Sequence, residues 1–216
     1  MTRSELLQQL SVPQRFDLAV IGGGATGLGV ALEASQRGYK VVLLESHDFA
    51  KGTSSRSTKL VHGGVRYLAQ GNISLVREAL HERSVLLHDA PHLAQPIPFV
   101  MPSYRWWETA FYGIGLKLYD LLAGADGLGP TEFLTARSVL ARMPGLKAQG
   151  LLGGVKYWDG QFDDARFAIN LARTASQAGA LVVNYCGVTK LLHAEGRVCG
   201  LLAQDHETGQ TFQVQA

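Results

Sequence analysis

The hydrophobic residues near the start of the chain form two short continuous runs on either side of a helical stretch. The first run is Phe16 with residues 18–21, and the second is residues 41–44. Continuous apolar runs of this length are typical of strands that are buried on both faces. Between them, residues 26–37 predict a helix that ends at Gly38, because glycine readily takes the left-handed conformation after a last helical turn. The order strand, helix, strand predicts a parallel βαβ unit.

A G-x-G-x-x-G motif formed by Gly22, Gly24 and Gly27 joins the first strand to this helix. The first glycine allows a tight turn, the second lets the backbone approach a pyrophosphate, and the third lets helix and strand pack closely. The helix then offers free N–H groups and its positive dipole end to phosphate. Glu45 ends the second strand, near the offset at which an acid binds a ribose hydroxyl, and it disfavours the 2′-phosphate of NADP. The alternative is a glycine-rich turn that binds no ligand.

A second loop, rich in hydroxyl groups, follows the second strand instead of another βαβ crossover. Its small residues can approach a pyrophosphate or the edge of a flavin ring and donate hydrogen bonds to it. The alternative is a solvated loop without a ligand. The loop comprises Gly52, Thr53, Ser54, Ser55, Ser57 and Thr58, with Lys51, Arg56 and Lys59 interspersed.

The middle of the chain predicts a helix, a strand and a second, apolar helix. Asn72 is placed to cap a helix that reaches His88, and residues 97–101 predict a strand among prolines. Residues 111–122 predict an apolar helix, but Lys117 and Asp120 interrupt it, so it is not a transmembrane segment. Trp106 and Trp107 precede this helix, which suits a membrane interface as well as burial against another part of the protein.

The last third of the chain predicts a helix and a series of strands. Residues 155–159 form a strand, and Asp163 or Asp164 begins a helix over 165–178. The two acids suggest either N-capping, which requires only one of them, or acid–base chemistry. Strands are predicted at 181–185, 197–204 and 211–214, the last two as a meander.

Composition excludes several classes of function. The net charge is +2 with 18% charged residues, which argues against nucleic acid as a partner. Cys186 and Cys199 have neither metal nor disulfide spacing, and we expect both to be reduced core residues. Pro91 separates His88 from His92 and prevents a helical metal pair, so no metal site is predicted. The N-terminus lacks a basic and then apolar signal pattern, which predicts a cytoplasmic protein.

Two segments carry a specific resemblance to a known family. They read DLAVIGGGATGLGVA and LLESHDFAKGTSSRSTKLVHGGVRYL. The chain resembles the N-terminal part of the FAD-dependent, quinone-linked glycerol-3-phosphate dehydrogenases and their oxidase relatives. The resemblance implies an α/β fold: a Rossmann-like FAD-binding domain of the glutathione-reductase/D-amino-acid-oxidase type, with a mostly parallel sheet and a β-meander. It also implies that residues 1–216 are the N-terminal portion of that domain, incomplete at the C-terminus and without the family's C-terminal domain. Residues 90–160 are then expected to contribute to its substrate-side, membrane-proximal region.

The motifs and the resemblance together predict the site. Arg66 and Tyr67 are expected to bind the substrate phosphate, because a guanidinium holds two oxygens in a fixed fork. His62 is expected beside the flavin, with catalytic base as a second hypothesis. The FAD-binding positions are Gly22, Gly24, Ala25, Thr26, Gly27, Glu45, Ser46, Thr53, Ser54, Ser55, Ser57, Lys59, His62, Gly64 and Val188.

The implied activity is oxidation of sn-glycerol 3-phosphate to dihydroxyacetone phosphate with FAD as cofactor. The implied partners are glycerol 3-phosphate and a membrane quinone or other electron acceptor, with peripheral contact at the cytoplasmic face of the inner membrane. Two alternatives remain open. One is another FAD-dependent amine or hydroxy-acid oxidase, and the other is a non-catalytic remnant that binds FAD weakly or not at all.

Overall fold

The computed structural model describes residues 1–68 and 70–216, and of Arg66 it describes the backbone only. These residues form two compact units, one made of 1–58 with 164–216 and the other of 59–163. In chain order the elements are α1 (Arg3–Ser11), β1 (Leu18–Ile21), α2 (Ala25–Gln36), β2 (Val41–Leu44), a 3-10 turn (Thr53–Ser55), β3 (Leu60–Val61), α3 (Val65–Leu68), α4 (Ile73–Asp89), β4 (Ala94–Ser103), α5 (Glu108–Ala123), a second 3-10 turn (Gly124–Asp126), β5 (Glu132–Thr135), α6 (Ala136–Arg142), β6 (Gly153–Phe162), α7 (Asp164–Gln177), β7 (Leu181–Val183), β8 (Cys186–Ala194), β9 (Arg197–Asp205) and β10 (Thr211–Gln215).

The first unit is built on a parallel sheet in the order β1-β2-β7, with Val20 opposite Leu43 in the register. One face packs against α2 and α7 through an apolar cluster that includes Leu28, Leu43 and Ala168. The other face packs against α1 and an antiparallel meander in the order β8-β9-β10. The predicted α/β class, the βαβ unit and the meander are therefore confirmed.

The two strands of the βαβ unit differ in burial. All four residues of β2 are buried, as predicted, whereas β1 is only half-buried and Ile21 is 56% exposed. The prediction of full burial is wrong for β1 because it lies at the edge of the sheet in the described part of the chain. An apolar run by itself does not distinguish an edge strand from a central one.

The second unit contains an antiparallel sheet in the order β3-β6-β4, with β5 also paired to β6. Its edge strand β4 carries Pro96, Pro98 and Pro102, as expected where a residue without an N–H must avoid a central position. The predicted helix α4 is confirmed, and the Asn72 side chain caps it by accepting from the Leu75 N–H.

Helix α5 buries one side and exposes the other. Leu116 and Tyr119 are buried, whereas an apolar stripe of four side chains is exposed: Phe111, Ile114, Leu118 and Leu121. Trp106, just before the helix, is 86% exposed. Within 1–68 and 70–216, no helix has the length and apolar character needed to cross a bilayer.

Two features differ from the sequence-based picture. Cys186 is buried and free as predicted, but Cys199 is exposed because it lies near the turn that joins β8 to β9, so its core assignment was wrong. Helix α1 was not predicted, although Thr2 and Glu5 form a capping box at its start.

Among the described side chains, no three His, Cys, Asp or Glu residues are grouped so as to hold a metal ion.

Candidate functional site

The glycine turn between β1 and α2 is closed too tightly to admit a side chain at its third glycine. Gly22 has φ +109°, and its N–H donates to the Leu44 carbonyl at 2.9 Å. A Cβ atom on Gly27 would lie 2.1 Å from the Gly22 carbonyl oxygen. Helix α2 therefore begins in direct contact with the turn, with Gly24 at its N-cap position. This is the packing that the G-x-G-x-x-G spacing predicts.

Glu45 joins the end of β2 to this turn. Its Oε2 accepts the Gly23 N–H at 2.7 Å, and its Oε1 accepts the His47 N–H at 2.7 Å and the Ser46 hydroxyl at 3.2 Å. Burial raises the pKa of Glu45, but the hydrogen bonds from Gly23 and His47 outweigh burial and hold the pKa below its ordinary value. The carboxylate is therefore ionised and fixed in place. Oε2 retains acceptor capacity for a further donor such as a ribose hydroxyl.

The hydroxyl-rich loop folds onto the same turn. Ser54, in the 3-10 turn, accepts the Ala25 N–H with its Oγ at 2.9 Å, and the Ala50 N–H donates to the Gly23 carbonyl at 2.9 Å. Ser54 thus satisfies one of the N–H groups that a helix leaves without a partner in its first turn. The other first-turn N–H groups and the helix dipole are the features with which helix N-termini bind anions in such folds.

Asp164 anchors the far end of this loop, a role that sequence reasoning missed. The Ser57 hydroxyl and the Ser57 N–H both donate to Asp164 Oδ2, the N–H at 3.3 Å. Asp164 is 4% exposed and begins α7, where its Oδ1 accepts the Ala165 N–H at 2.8 Å. The helix-start prediction for this acid was correct, but its partner lies 107 residues away in sequence and no local signal indicated it.

The start of β8 also approaches the end of β2. A Cβ atom on Gly187 would lie 2.8 Å from the His206 Nε2 and 3.3 Å from the Ser46 Cβ, so a side chain here would require its neighbours to shift. Val188 follows directly and packs at the margin of the core beneath the sheet. The predicted FAD-binding residues of the first unit are thereby placed as follows: the glycine turn and α2 start (Gly22, Gly24, Ala25, Thr26 and Gly27), the end of β2 (Glu45 and Ser46), the hydroxyl loop (Thr53, Ser54, Ser55 and Ser57) and the start of β8 (Val188).

The remaining predicted residues lie in the second unit, around a sharp turn before α3. His62 Nδ1 accepts the Gly64 N–H at 3.0 Å, and Gly64 has φ +68°. His62 and Tyr67 are both exposed, and the Tyr67 N–H donates to the Gly64 carbonyl at 2.8 Å. Lys59 has φ +62°, and its carbonyl accepts the Phe162 N–H at 3.0 Å. The backbone of Arg66 lies in α3, and its side chain is outside the described part of the structure.

The architecture and the glycine turn are those of a dinucleotide-binding fold, and comparison with known proteins identifies the family. The sequence profile described as "FAD dependent oxidoreductase" matches residues 17–216. The chain belongs to this family. The assignment confirms the predicted enzyme class and the predicted cofactor, FAD.

Three similar proteins narrow the resemblance further. The chain is 46% identical to the mitochondrial glycerol-3-phosphate dehydrogenase of Macaca fascicularis, over 100% of this chain and 31% of that protein. It is 46% identical to the glycerol-3-phosphate dehydrogenase of Mycobacterium leprae, over 93% of this chain and 35% of that protein. The crystal structure of the Bacillus halodurans glycerol-3-phosphate dehydrogenase complexed with FAD superposes with a TM-score of 0.74 at 33% identity, covering 99% of this chain and 35% of that one. The predicted resemblance is confirmed, and the chain spans about a third of the length of these relatives.

The residues of the first unit fit the adenosine diphosphate half of FAD. The turn leaves no room for a Cβ at Gly27 and closes the backbone around the start of α2, which is where a diphosphate binds in such folds. Glu45 is ionised at the end of the second strand, as a ribose-binding acid must be. In the part of the chain that the structure describes, no Lys or Arg forms an ion pair with Glu45, and the His47 ring lies 3.8 Å from its Oε1. A carboxylate at this position repels a 2′-phosphate and accepts a 2′-hydroxyl.

Proposed function

We propose that this chain forms the FAD-binding part of an enzyme that oxidises sn-glycerol 3-phosphate to dihydroxyacetone phosphate. The observation that carries the proposal is the identity of about 46%, over the whole chain, to a protein named glycerol-3-phosphate dehydrogenase. The glycine turn, Glu45 and the loop held by Asp164 support it, because they form a dinucleotide cradle along the segment that carries the resemblance.

The described residues divide the work of holding the cofactor. When bound, FAD supplies the two-electron redox chemistry that no protein side chain provides. The N-terminus of α2 would bind the diphosphate through N–H groups and the helix dipole. Glu45, held by the Gly23 N–H, would accept a ribose hydroxyl. Asp164 holds the hydroxyl-rich loop through Ser57.

The assignment of residues to the substrate phosphate combines the family resemblance with charge. A phosphate dianion in a partly dry pocket requires a guanidinium, which binds two oxygens at once. Arg66 has the required chemistry, and Tyr67 and His62 lie on the same turn as further hydrogen-bonding groups. Placing the phosphate in this way would hold the secondary carbon, from which the hydride leaves, at a fixed position.

The electron acceptor in this proposal is a membrane quinone, reached from the cytoplasmic face of the inner membrane. The exposed stripe on α5 supports it, because Phe111, Ile114, Leu118 and Leu121 present an apolar face beside two tryptophans. Tryptophans that flank an apolar helix face are typical of proteins that lie in a membrane interface. Residues 90–160, which contain this helix, would then form the membrane-proximal part of the enzyme.

The test is a visible spectrum of the purified chain after incubation with FAD, recorded without oxygen before and after addition of glycerol 3-phosphate. We expect a bound-flavin spectrum whose visible band bleaches with glycerol 3-phosphate but not with glycerol, glycerol 2-phosphate or L-amino acids. Bleaching by an amino acid or an amine instead would establish the oxidase alternative. Bound flavin that no substrate bleaches would favour the non-catalytic alternative.

Arg66 gives a second test of the substrate assignment. Arg66→Ala should raise the glycerol 3-phosphate concentration needed for bleaching by about a hundredfold, since a bidentate charged contact is lost, while flavin content stays unchanged. Arg66→Lys keeps the positive charge but cannot bind two phosphate oxygens in a fixed geometry. The glycerol 3-phosphate concentration it needs should therefore lie between those of the unmodified chain and Arg66→Ala. An unchanged concentration dependence in Arg66→Ala would remove this residue from the pocket.

A further inference from the structure

Three buried polar side chains form a connected network in the second unit. Arg83 is 1% exposed, and its Nη1 donates to Asp159 Oδ1 at 3.0 Å. The Tyr119 hydroxyl donates to Asp159 Oδ2 at 3.1 Å, and the Arg83 guanidinium lies 5.9 Å from the Tyr119 ring centre. Burial and the carboxylate of Asp159 raise the pKa of Tyr119, so its hydroxyl stays protonated. The network therefore directs the hydroxyl hydrogen toward Asp159.

Burying charged groups is costly unless hydrogen bonds satisfy them, and this network extends to the turn that carries His62. With its hydrogen committed to Asp159, the Tyr119 oxygen accepts the Gly63 N–H at 2.8 Å. Gly63 is buried, and a Cβ atom there would lie 2.4 Å from the Tyr119 hydroxyl oxygen and 2.5 Å from a methyl carbon of Leu80. Tyr119 thus fixes the middle residue of the turn by a hydrogen bond and by close contact.

The same turn determines which nitrogen of His62 carries the proton. Backbone N–H groups only donate, so the Gly64 N–H at 3.0 Å from His62 Nδ1 requires an unprotonated Nδ1. The neutral ring must then carry its hydrogen on Nε2. His62 is exposed, so its Nε2–H is available as a donor to a ligand.

We propose that Tyr119, oriented by Asp159 and Arg83, is a positioning residue that holds the His62–Gly64 turn and keeps His62 as an Nε2–H donor. An N–H donor suits an oxygen acceptor, such as a phosphate, an alcohol oxygen or a flavin carbonyl. To act as a base, His62 would first have to give up the bond from Gly64. In the proposed function, on which this role of His62 rests, His62 binds and polarises an oxygen of the substrate or flavin and does not abstract a proton.

The tautomer is tested on the 216-residue chain without flavin or substrate, so failure here is distinct from failure of the proposed function. Two-bond nitrogen–proton correlation spectra of chain labelled with 15N-histidine separate protonated from unprotonated ring nitrogens, and His62→Gln identifies the His62 signals. We expect a single neutral tautomer with an unprotonated Nδ1. A protonated Nδ1, or an even mixture of tautomers, would overturn the assignment.

Tyr119→Phe tests the link to the network, because it removes only the hydroxyl. The Gly63 amide should then exchange with solvent at least about tenfold faster, and His62 should show both tautomers. Tyr104→Phe is the matched control, because it removes a tyrosine hydroxyl that hydrogen-bonds the backbone at an exposed site, where it donates to the Lys147 carbonyl. This variant should leave both the Gly63 exchange rate and the His62 signals unchanged.

Unchanged His62 and Gly63 signals in folded Tyr119→Phe would overturn the positioning role. The unmodified chain provides a measurement that does not depend on any variant folding. Its Gly63 amide should exchange far more slowly than that of Gly145, an exposed turn glycine. Equal exchange rates at these two glycines would also overturn the proposal.

Discussion

Gly27 and Gly29 lie two positions apart in α2, yet the space around them differs. A Cβ atom on Gly27 would collide with the Gly22 carbonyl oxygen, whereas a Cβ atom on Gly29 would meet nothing within 4 Å. The first glycine is therefore required by the turn. The second only weakens the helix, because glycine loses more backbone entropy than alanine on folding.

The same substitution should thus have opposite effects at these two positions. We expect Gly27→Ala to lower the free energy of unfolding by at least about 2 kcal/mol, since backbone must move, and to reduce flavin content. Gly29→Ala should raise the free energy of unfolding by about 0.5–1 kcal/mol and leave the flavin content unchanged. Urea unfolding and the flavin-to-protein absorbance ratio measure both. Equal effects at the two positions would contradict the geometry of the turn.

Glu45 has a structural role in addition to its predicted contact with ribose. Its pKa is lowered in the folded chain, so its contribution to stability is present above the ordinary pKa of a glutamate and is lost as the pH falls through the folded value. The hydrogen bonds from Gly23 and His47 are made to an ionised acceptor, which strengthens them.

Glu45→Gln should therefore destabilise the chain in a pH-dependent way. A glutamine has one acceptor oxygen, so one of the two backbone donors loses its partner, at a cost of about 1–3 kcal/mol at neutral pH. The difference in the free energy of unfolding between Glu45→Gln and the unmodified chain should shrink as the pH falls through the folded pKa of Glu45. Urea unfolding across acidic and neutral pH tests this. Glu33→Gln is the control, since its ion pair with Arg37 is exposed, and its effect should stay within about 0.5 kcal/mol.

At the scale of elements, α5 has two faces with different consequences. Its buried face includes Leu116 and Tyr119, which tie it to the rest of the second unit. On its exposed face, Ile114 and Leu121 contribute little to that packing, since they are 71% and 76% exposed. Changes on the exposed face therefore test the proposed membrane binding separately from folding.

Replacing Ile114 and Leu121 together by glutamate should leave stability within about 0.5 kcal/mol and weaken binding to lipid vesicles by at least about tenfold. Flotation with vesicles that contain anionic lipid measures binding, and thermal unfolding measures stability. Leu152→Glu is the control, because Leu152 is 57% exposed but lies outside α5. Undiminished flotation of the double variant would exclude this face as the contact.

At the scale of the whole molecule, the dinucleotide cradle is contained in one unit. The glycine turn, Glu45, the hydroxyl-rich loop and Asp164 all belong to the unit of 1–58 and 164–216. Segments distant in sequence are thus brought into one cradle, which we expect to recognise the adenosine diphosphate end of the cofactor. Ligands that contain this end should stabilise the fold, because binding to the native state alone favours it.

We expect FAD and ADP both to stabilise the chain, by about 2.7 kcal/mol when present at a hundred times the dissociation constant. FMN lacks adenosine and should have little effect. The urea midpoint, measured with each ligand in turn, checks this. Stabilisation by FMN without any by ADP would contradict a cradle built around the adenosine diphosphate end.

Local signals in the sequence were sufficient for the parts of the fold that depend on neighbouring residues. The spacing of Gly22, Gly24 and Gly27 predicted the turn, β2 was placed at its observed bounds, and Asn72 correctly marked the start of α4. The resemblance in residues 43–68 identified the family. The predictions of the turn, of β2 and of the start of α4 are correct because turn geometry, strand periodicity and capping are determined within a few residues.

Tertiary structure decided what depends on partners far away in the chain. It made β1 an edge strand, joined Ser57 to Asp164, and placed Tyr119 and Asp159 behind the turn at His62. In the sequence, Asp164 was only a helix-starting acid and Tyr119 only part of an apolar helix. Hydrogen bonds between residues that are 40 to 107 positions apart leave no periodic trace, because each end satisfies its own local pattern equally well without the other.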